Sequence, residues 1–185
     1  MVKIEPTALP DVKIVHTSVF ADARGYFMET YNKQAFVAAG IEEEFVQDNF
    51  SLSVEAGTVR GLHFQIAPFA QAKLIRVGRG RILDVAVDLR RSSPTFGHHV
   101  AVELGAESGS QLLIPVGFAH GFCTLEPNTE VSYKVTANYS APHDRGLAWN
   151  DPALEIDWPV EATRAILSEK DTKHPRLADL PAFFP

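Results

Sequence analysis

An all-β fold is the expectation from three features of the sequence. Short runs rich in β-branched and aromatic residues recur along the chain, each bounded by Gly, Pro, Asp or Asn. No strand–helix–strand rhythm interrupts them, and no internal repeat divides them. The 185 residues are 45% hydrophobic and 22% charged, a globular balance that suits one domain over 1–185.

Val12 to Phe20 is the first β-branched run. Asp22-Ala23-Arg24-Gly25 breaks it, and Tyr26 to Tyr31 resumes the pattern. Lys33 to Ala39 suits one or two helical turns, with Gly40 as the stop. Phe45 to Val54 and Val59 to Ile66 follow, separated by the turn Glu55-Ala56-Gly57-Thr58. Lys73 to Val77 and Arg81 to Leu89 flank Gly78-Arg79-Gly80, which predicts a hairpin, because its glycines allow a tight reversal. His99 to Leu104, Gln111 to Pro115, His120 to Leu125 and Glu130 to Tyr139 continue the series. A helix is expected again only after Trp158, and Pro181 to Pro185 reads as an irregular tail.

The formal net charge is -6 and no block of Lys and Arg stands out, which argues against a nucleic-acid partner. A few placed arginines can still hold a diphosphate inside an acidic protein. A single cysteine, Cys123, builds neither a disulfide framework nor a zinc site by itself. No long apolar run follows Lys3, and no stretch of about 18 apolar residues exists to span a membrane. The expectation is a cytoplasmic protein with no membrane partner.

Two segments resemble the paired motifs of the cupins. The second cupin motif has the form G-x5-P-x-G-x2-H-x3-N. Gly109, Pro115, Gly117 and His120 fit it, with Thr124 at the final Asn. The first motif begins G-x5-H-x-H and continues to a Glu. Gly57 and His63 satisfy its start, Gln65 stands at the second histidine, and no Glu follows at the expected gap. The resemblance implies a jelly-roll barrel with a few short helices. A catalytic metal needs about three strong protein ligands, and this motif has lost two, so no metal is expected.

A narrower resemblance covers residues 12 to about 171. Phe20-Ala21-Asp22-Ala23-Arg24-Gly25-Tyr26-Phe27-Met28-Glu29 resembles the F-x-D-x-R-G-x-F-x-E segment of the dTDP-4-dehydrorhamnose 3,5-epimerase family. Gln47-Asp48-Asn49-Phe50-Ser51, Arg60-Gly61-Leu62-His63-Phe64-Gln65 and Gln71-Ala72-Lys73-Leu74 match further segments of it. So do Tyr133-Lys134-Val135, Trp149 to Pro152, Asp157-Trp158-Pro159 and Leu167 to Asp171. One departure is visible. Where the family reads Y-S-P-E-H-E-R-G, this chain has Tyr139-Ser140-Ala141-Pro142-His143-Asp144-Arg145-Gly146, so the carboxylate is kept one methylene shorter.

The resemblance implies a cofactor-free isomerase acting on dTDP-4-dehydro-6-deoxy-D-glucose in dTDP-rhamnose biosynthesis. The ketone at carbon 4 acidifies the protons on carbons 3 and 5, and inversion of both gives dTDP-4-dehydro-L-rhamnose. Such chemistry needs a base, an acid on the opposite face and stabilisation of the enolate. On the resemblance, His63 is the base and Asp171 holds its tautomer. Lys73 faces the ketone oxygen and Tyr133 is the acid. Arg24, Arg60 and Lys170 suit the diphosphate. Glu29, Gln47, Asp48, Asn49, His120 and Asp144 would hydrogen-bond thymine or sugar, and Phe20 and Tyr139 would stack on the thymine ring. His16, His98, His99 and His174 are read as structural. The family also implies a homodimer whose N-terminal strands exchange between subunits. Three other readings share parts of this pattern: an epimerase acting at one centre only, a metal-dependent cupin oxygenase and a non-catalytic sugar-binding cupin.

Overall fold

The computed structural model describes residues 2–185 and builds two antiparallel sheets that face one another. Strands β1 (Lys3–Pro6) and β2 (Lys13–His16) form a hairpin, and β3 (Val19–Asp22) pairs with β4 (Gly25–Met28) in a small separate ribbon. Helix α1 (Lys33–Ala38) is capped by Asn32, whose side chain accepts from the Ala35 N–H. Then come β5 (Gln47–Ser53), β6 (Val59–Gln65), β7 (Lys73–Arg79), β8 (Arg81–Asp88) and β9 (His99–Gly105). They are followed by β10 (Ser110–Ile114), β11 (Phe118–Thr124), β12 (Thr129–Val135) and β13 (Asp144–Gly146). The larger sheet runs β1-β2-β10-β7-β12-β5 and the smaller one β13-β6-β11-β8-β9. This is the jelly-roll arrangement expected from the cupin motifs.

Three apolar layers explain why the central strands read as unbroken hydrophobic runs. Between the sheets, Ile75, Val77, Leu112 and Val131 meet Ile82, Ala86, Leu104, Phe118 and Phe122. The outer face of the smaller sheet is covered by the C-terminal segment, whose Leu147, Leu154 and Leu180 pack on Leu62, Phe64, Val85 and Ala119. Phe36 of α1 and Ile41 cover Val15, Leu74 and Leu113 on the outer face of the larger sheet. Strands covered on both faces lose the polar–apolar alternation of a half-buried strand.

The hairpin expected across Gly78-Arg79-Gly80 does not form. β7 pairs with β10 and β12, β8 pairs with β11 and β9, and the glycine turn carries the chain from one sheet to the other. Both strands are central: β7 takes neighbours distant in sequence on both edges, and β8 takes the distant β11 on one edge and the next strand, β9, on the other. The expected run Val12–Phe20 divides at Thr17 and Ser18 into β2 and β3. After Trp158 the chain forms short 3-10 turns at Asp171–Lys173 and Leu177–Asp179 instead of an α-helix. The tail is irregular, as expected, yet docked: Phe183 and Phe184 pack on the C-terminal cluster, and Phe184 bridges to Arg90. Strands β1 and β13 lie outside every expected run.

Candidate active site

A cleft of about 420 Å³ opens between the two sheets. His63 on β6 and His120 on β11 line one wall; Lys73 on β7 and Tyr133 on β12 line the other. Arg60, Lys170 and Asp171 complete its charged lining. A second hollow of about 260 Å³ shares His63, Lys73, Tyr133 and Lys170 with it, and adds Gln47, Asn49, Tyr139 and Asp144. Together they form one groove.

His63 and His120 are register partners on adjacent strands. Gly61 makes that crossing close: a Cβ there would lie 2.5 Å from the Gly121 Cα. Across the groove, β5 alternates strictly. Gln47, Asn49 and Ser51 turn toward the groove side, whereas Asp48, Phe50 and Leu52 are exposed on the other face.

Each titratable group has its own electrostatic setting. Asp171 Oδ1 lies 2.6 Å from His63 Nε2. Burial opposes ionisation of Asp171, but the imidazoles of His174 and His63 outweigh it and hold the carboxyl well below the usual carboxylate range. With Asp171 ionised, His63 donates from Nε2, and Nδ1 is left as the proton acceptor. Lys73 is buried and donates to the His63 carbonyl at 3.2 Å. Desolvation pulls its pKa down to about 8, against the opposing pull of Asp144 and Asp84. Burial raises the Tyr133 phenol, so it keeps its proton at neutral pH. His120 is nearly enclosed, with Nε2 2.5 Å from Asp84 Oδ1, and burial lowers its pKa despite that carboxylate.

Around this centre the polar groups are mutually braced. Arg60 donates to Ser53 Oγ at 3.0 Å and to the Leu52 carbonyl. Gln47 accepts from the Tyr139 N–H and donates to Asn49 Oδ1. Asp144 accepts from the Tyr139 hydroxyl at 3.3 Å and pairs with Lys170.

The profile of the dTDP-4-dehydrorhamnose 3,5-epimerase family matches residues 6–179. The dTDP-4-dehydrorhamnose 3,5-epimerase of Sinorhizobium fredii is 53% identical over 96% of this chain and 90% of its own length. The chain belongs to the dTDP-4-dehydrorhamnose 3,5-epimerase family. It is an isomerase by that membership. Among solved structures, the Bacillus anthracis enzyme of the same name, with TDP and PPi bound, is 52% identical with a TM-score of 0.92. That match covers 95% of this chain and 99% of the other. The Legionella pneumophila dTDP-6-deoxy-D-glucose-3,5-epimerase, in complex with dTDP-4-keto-L-rhamnose, is 39% identical with a TM-score of 0.93. It covers 98% of this chain and 96% of its own.

The groove gathers eleven of the fifteen residues that the family resemblance singles out. Four lie elsewhere on this chain. Asp48 is on the outward face of β5, bonded to Lys134 at 2.8 Å, because the strand period of two sends it opposite to Gln47 and Asn49. Phe20, Arg24 and Glu29 belong to the exposed β3–β4 ribbon and the residue after it, with Arg24 paired to Asp22.

A cupin metal does not fit the residues present. Gln65 donates to the carbonyls of Phe69 and Asn138 and accepts from the Ser140 N–H, so its amide ties loops together. His120 Nε2 is committed to Asp84. Two residues of this neighbourhood were given no place in the site by the sequence reading, Asp84 unmentioned and His174 read as structural. Asp84 is the only acid in the apolar run Ile82 to Val87, and a buried acid needs a partner. His174 stands three residues after Asp171, and a 3-10 turn puts that spacing on one side.

Proposed function

We propose that this chain inverts carbons 3 and 5 of dTDP-4-dehydro-6-deoxy-D-glucose to give dTDP-4-dehydro-L-rhamnose. Membership of the family supports the reaction class, and the ligands named for the relatives from Bacillus anthracis and Legionella pneumophila support a dTDP-sugar. The observation that carries the reading is the division of the groove. His63 and Tyr133 come from opposite sheets and line the same cleft. Inversion needs that opposition of faces, which a base and acid on one wall would not supply.

In this reading His63 Nδ1 takes the proton from carbon 3 or 5, and the buried Asp171 carboxylate balances the imidazolium. Charge builds on the ketone oxygen, and the Lys73 ammonium stabilises it in a site largely shielded from water. Tyr133 returns a proton to the other face. Arg60 and Lys170 bind the diphosphate, and Gln47, Asn49, Asp144 and His120 hold the sugar or base while Tyr139 stacks on thymine. No step requires a cofactor.

The protein works as a cytoplasmic homodimer formed by one domain per chain, with N-terminal strands exchanged. Phe20 and Phe27 on the ribbon are 61% and 68% exposed, and Phe50 on the open face of β5 is 66% exposed. Uncovered aromatics of this size mark an interaction surface. Exchange would carry Phe20, Arg24 and Glu29 to the partner's groove. Among the described residues no helix is long and apolar enough to cross a membrane.

The deciding experiment incubates the protein with dTDP-4-dehydro-6-deoxyglucose, a downstream reductase and NADPH, which serves the reductase alone. NMR should show a sugar inverted at both centres. A product inverted at one centre replaces the double epimerase by a single-centre one, and an unchanged substrate removes the activity.

A further inference from the structure

His174 takes no proton in the reaction described above and acts there only through the field of its ring on Asp171, yet it carries an unsatisfied polar atom beside Asp171. Its side chain is 9% exposed. Its Nε2 is one of two buried side-chain nitrogen or oxygen atoms without a hydrogen-bond partner among the described residues. That nitrogen stands 3.4 Å from Asp171 Oδ1, within reach of it but not aligned as a donor. The same oxygen already takes His63 Nε2 at 2.6 Å, and the two imidazole rings stand edge to face with centroids 5.6 Å apart. One donor atom from each of His63, Asp171 and His174 falls within 4.8 Å of the other two. Three donors therefore converge, and only one pair of them bonds.

Two imidazoles and a carboxylate are the donor set of zinc and its neighbours among the divalent transition metals. We propose that His63, Asp171 and His174 form a Zn²⁺ site. It shares only His63 with the motif positions at which a cupin holds its metal.

The ligands are braced for the purpose. The His174 ring lies flat against Gly146: a Cβ at that position would fall 2.3 Å from Cε1 and Nε2 of the ring. Gly146 in turn is the register partner of His63 across β13 and β6. Asp171 is anchored by its backbone N–H, which donates to Ser168 Oγ at 3.2 Å. The His174 ring is held by its packing on Gly146, and Asp171 is buried on a fixed backbone, which lowers the ordering cost of binding an ion.

Coordination also has a chemical consequence, which rests on His63 being the base. Zinc takes the lone pair of His63 Nε2, so the proton of the neutral ring sits on Nδ1. Nδ1 is the atom that would accept the substrate proton, and it is then blocked. The site is inhibitory, and zinc and catalysis exclude each other at one imidazole.

The test titrates metal-free protein with Co²⁺ and reads the visible d–d bands of a low-symmetry cobalt site, then displaces them with Zn²⁺. Wild type should bind one ion. His174→Phe removes a ligand while keeping a ring, and should weaken binding more than ~10-fold, since even outer-sphere changes around a metal weaken it that much. Gly146→Ala keeps all three ligands but displaces the His174 ring, and should weaken binding as well; thermal melts show that each variant is folded. In the epimerase assay, micromolar Zn²⁺ should inhibit wild type reversibly, and the ratio of inhibited to metal-free rate should return toward one in His174→Phe. Absence of cobalt bands in wild type, or equal affinity in folded His174→Phe, overturns the site. Cobalt binding without loss of turnover leaves the metal site standing and overturns the reading of His63 as the base.

Discussion

Two histidine–carboxylate pairs sit side by side, both histidines on the smaller sheet, and they differ in burial more than in geometry. His63 meets Asp171 at 2.6 Å and His120 meets Asp84 at 2.5 Å. The His63 side chain is 31% exposed, whereas His120 is 8% exposed over a fully buried Asp84. An imidazole that opens to the groove can exchange a proton with a ligand. An enclosed one, driven toward its neutral form by burial, serves as a fixed hydrogen-bonding wall. The same two residue types thus have separate uses, set by solvent access.

The largest effect that tests this contrast is at His63. His63→Ala should lower turnover by roughly 10²–10⁴, and in heavy water deuterium should enter neither carbon 3 nor carbon 5. Tyr133→Phe should fail differently. His63 would still form the enolate and return a solvent proton to the original face, so NMR should show deuterium without matching inversion. Rapid exchange in His63→Ala would transfer the base role elsewhere, with His120 the first candidate.

Lys73 comes next. Lys73→Met should lower turnover by about 10²–10³, because the charge facing the enolate is gone. It should also leave the protein at least as stable. Lys73 binds its proton more weakly folded than unfolded, so the desolvation penalty is fully present below pH 8 and fades as pH rises from about 8 to the unfolded value of 10.5. The full penalty is on the order of 3 kcal/mol. Wild-type turnover should decline as pH rises through about 8, where Lys73 loses its charge. A folded, active Lys73→Met variant would remove the lysine from the mechanism.

Smaller effects separate the two carboxylates. Asp84→Ala strips a buried partner from His120 and should lower unfolding stability by about 1–3 kcal/mol in urea titration. Asp171→Asn should chiefly lower turnover. If Asp84→Ala spared stability but abolished turnover, the enclosed pair would belong to the chemistry. The smallest expected effect is that of a chelator. Dialysis against EDTA should leave turnover intact, or raise it where traces of zinc were bound, and a loss restored by one added metal would reinstate a metal mechanism.

The sequence by itself determined what depends on short range. Glycines and β-branched runs marked most of the strands, and the motifs around His63 and His120 pointed to the jelly roll that carries them. Tertiary structure decided what joins distant segments. No local spacing pairs His63 with Asp171, 108 positions apart, which only the family resemblance had joined, and the partner of His120, Asp84 at 36 positions, emerged from the structure alone. Gly78-Arg79-Gly80 reads as a hairpin because local rules see only a turn between two strands. Closure of the jelly roll gives each of those strands better-buried neighbours in different sheets. Asp48 faces away from the groove, and His174 stands beside Asp171, for the same reason. The face a side chain takes is set by the sheet register and by the docking of the C-terminal segment, and both are fixed only when the apolar layers close together.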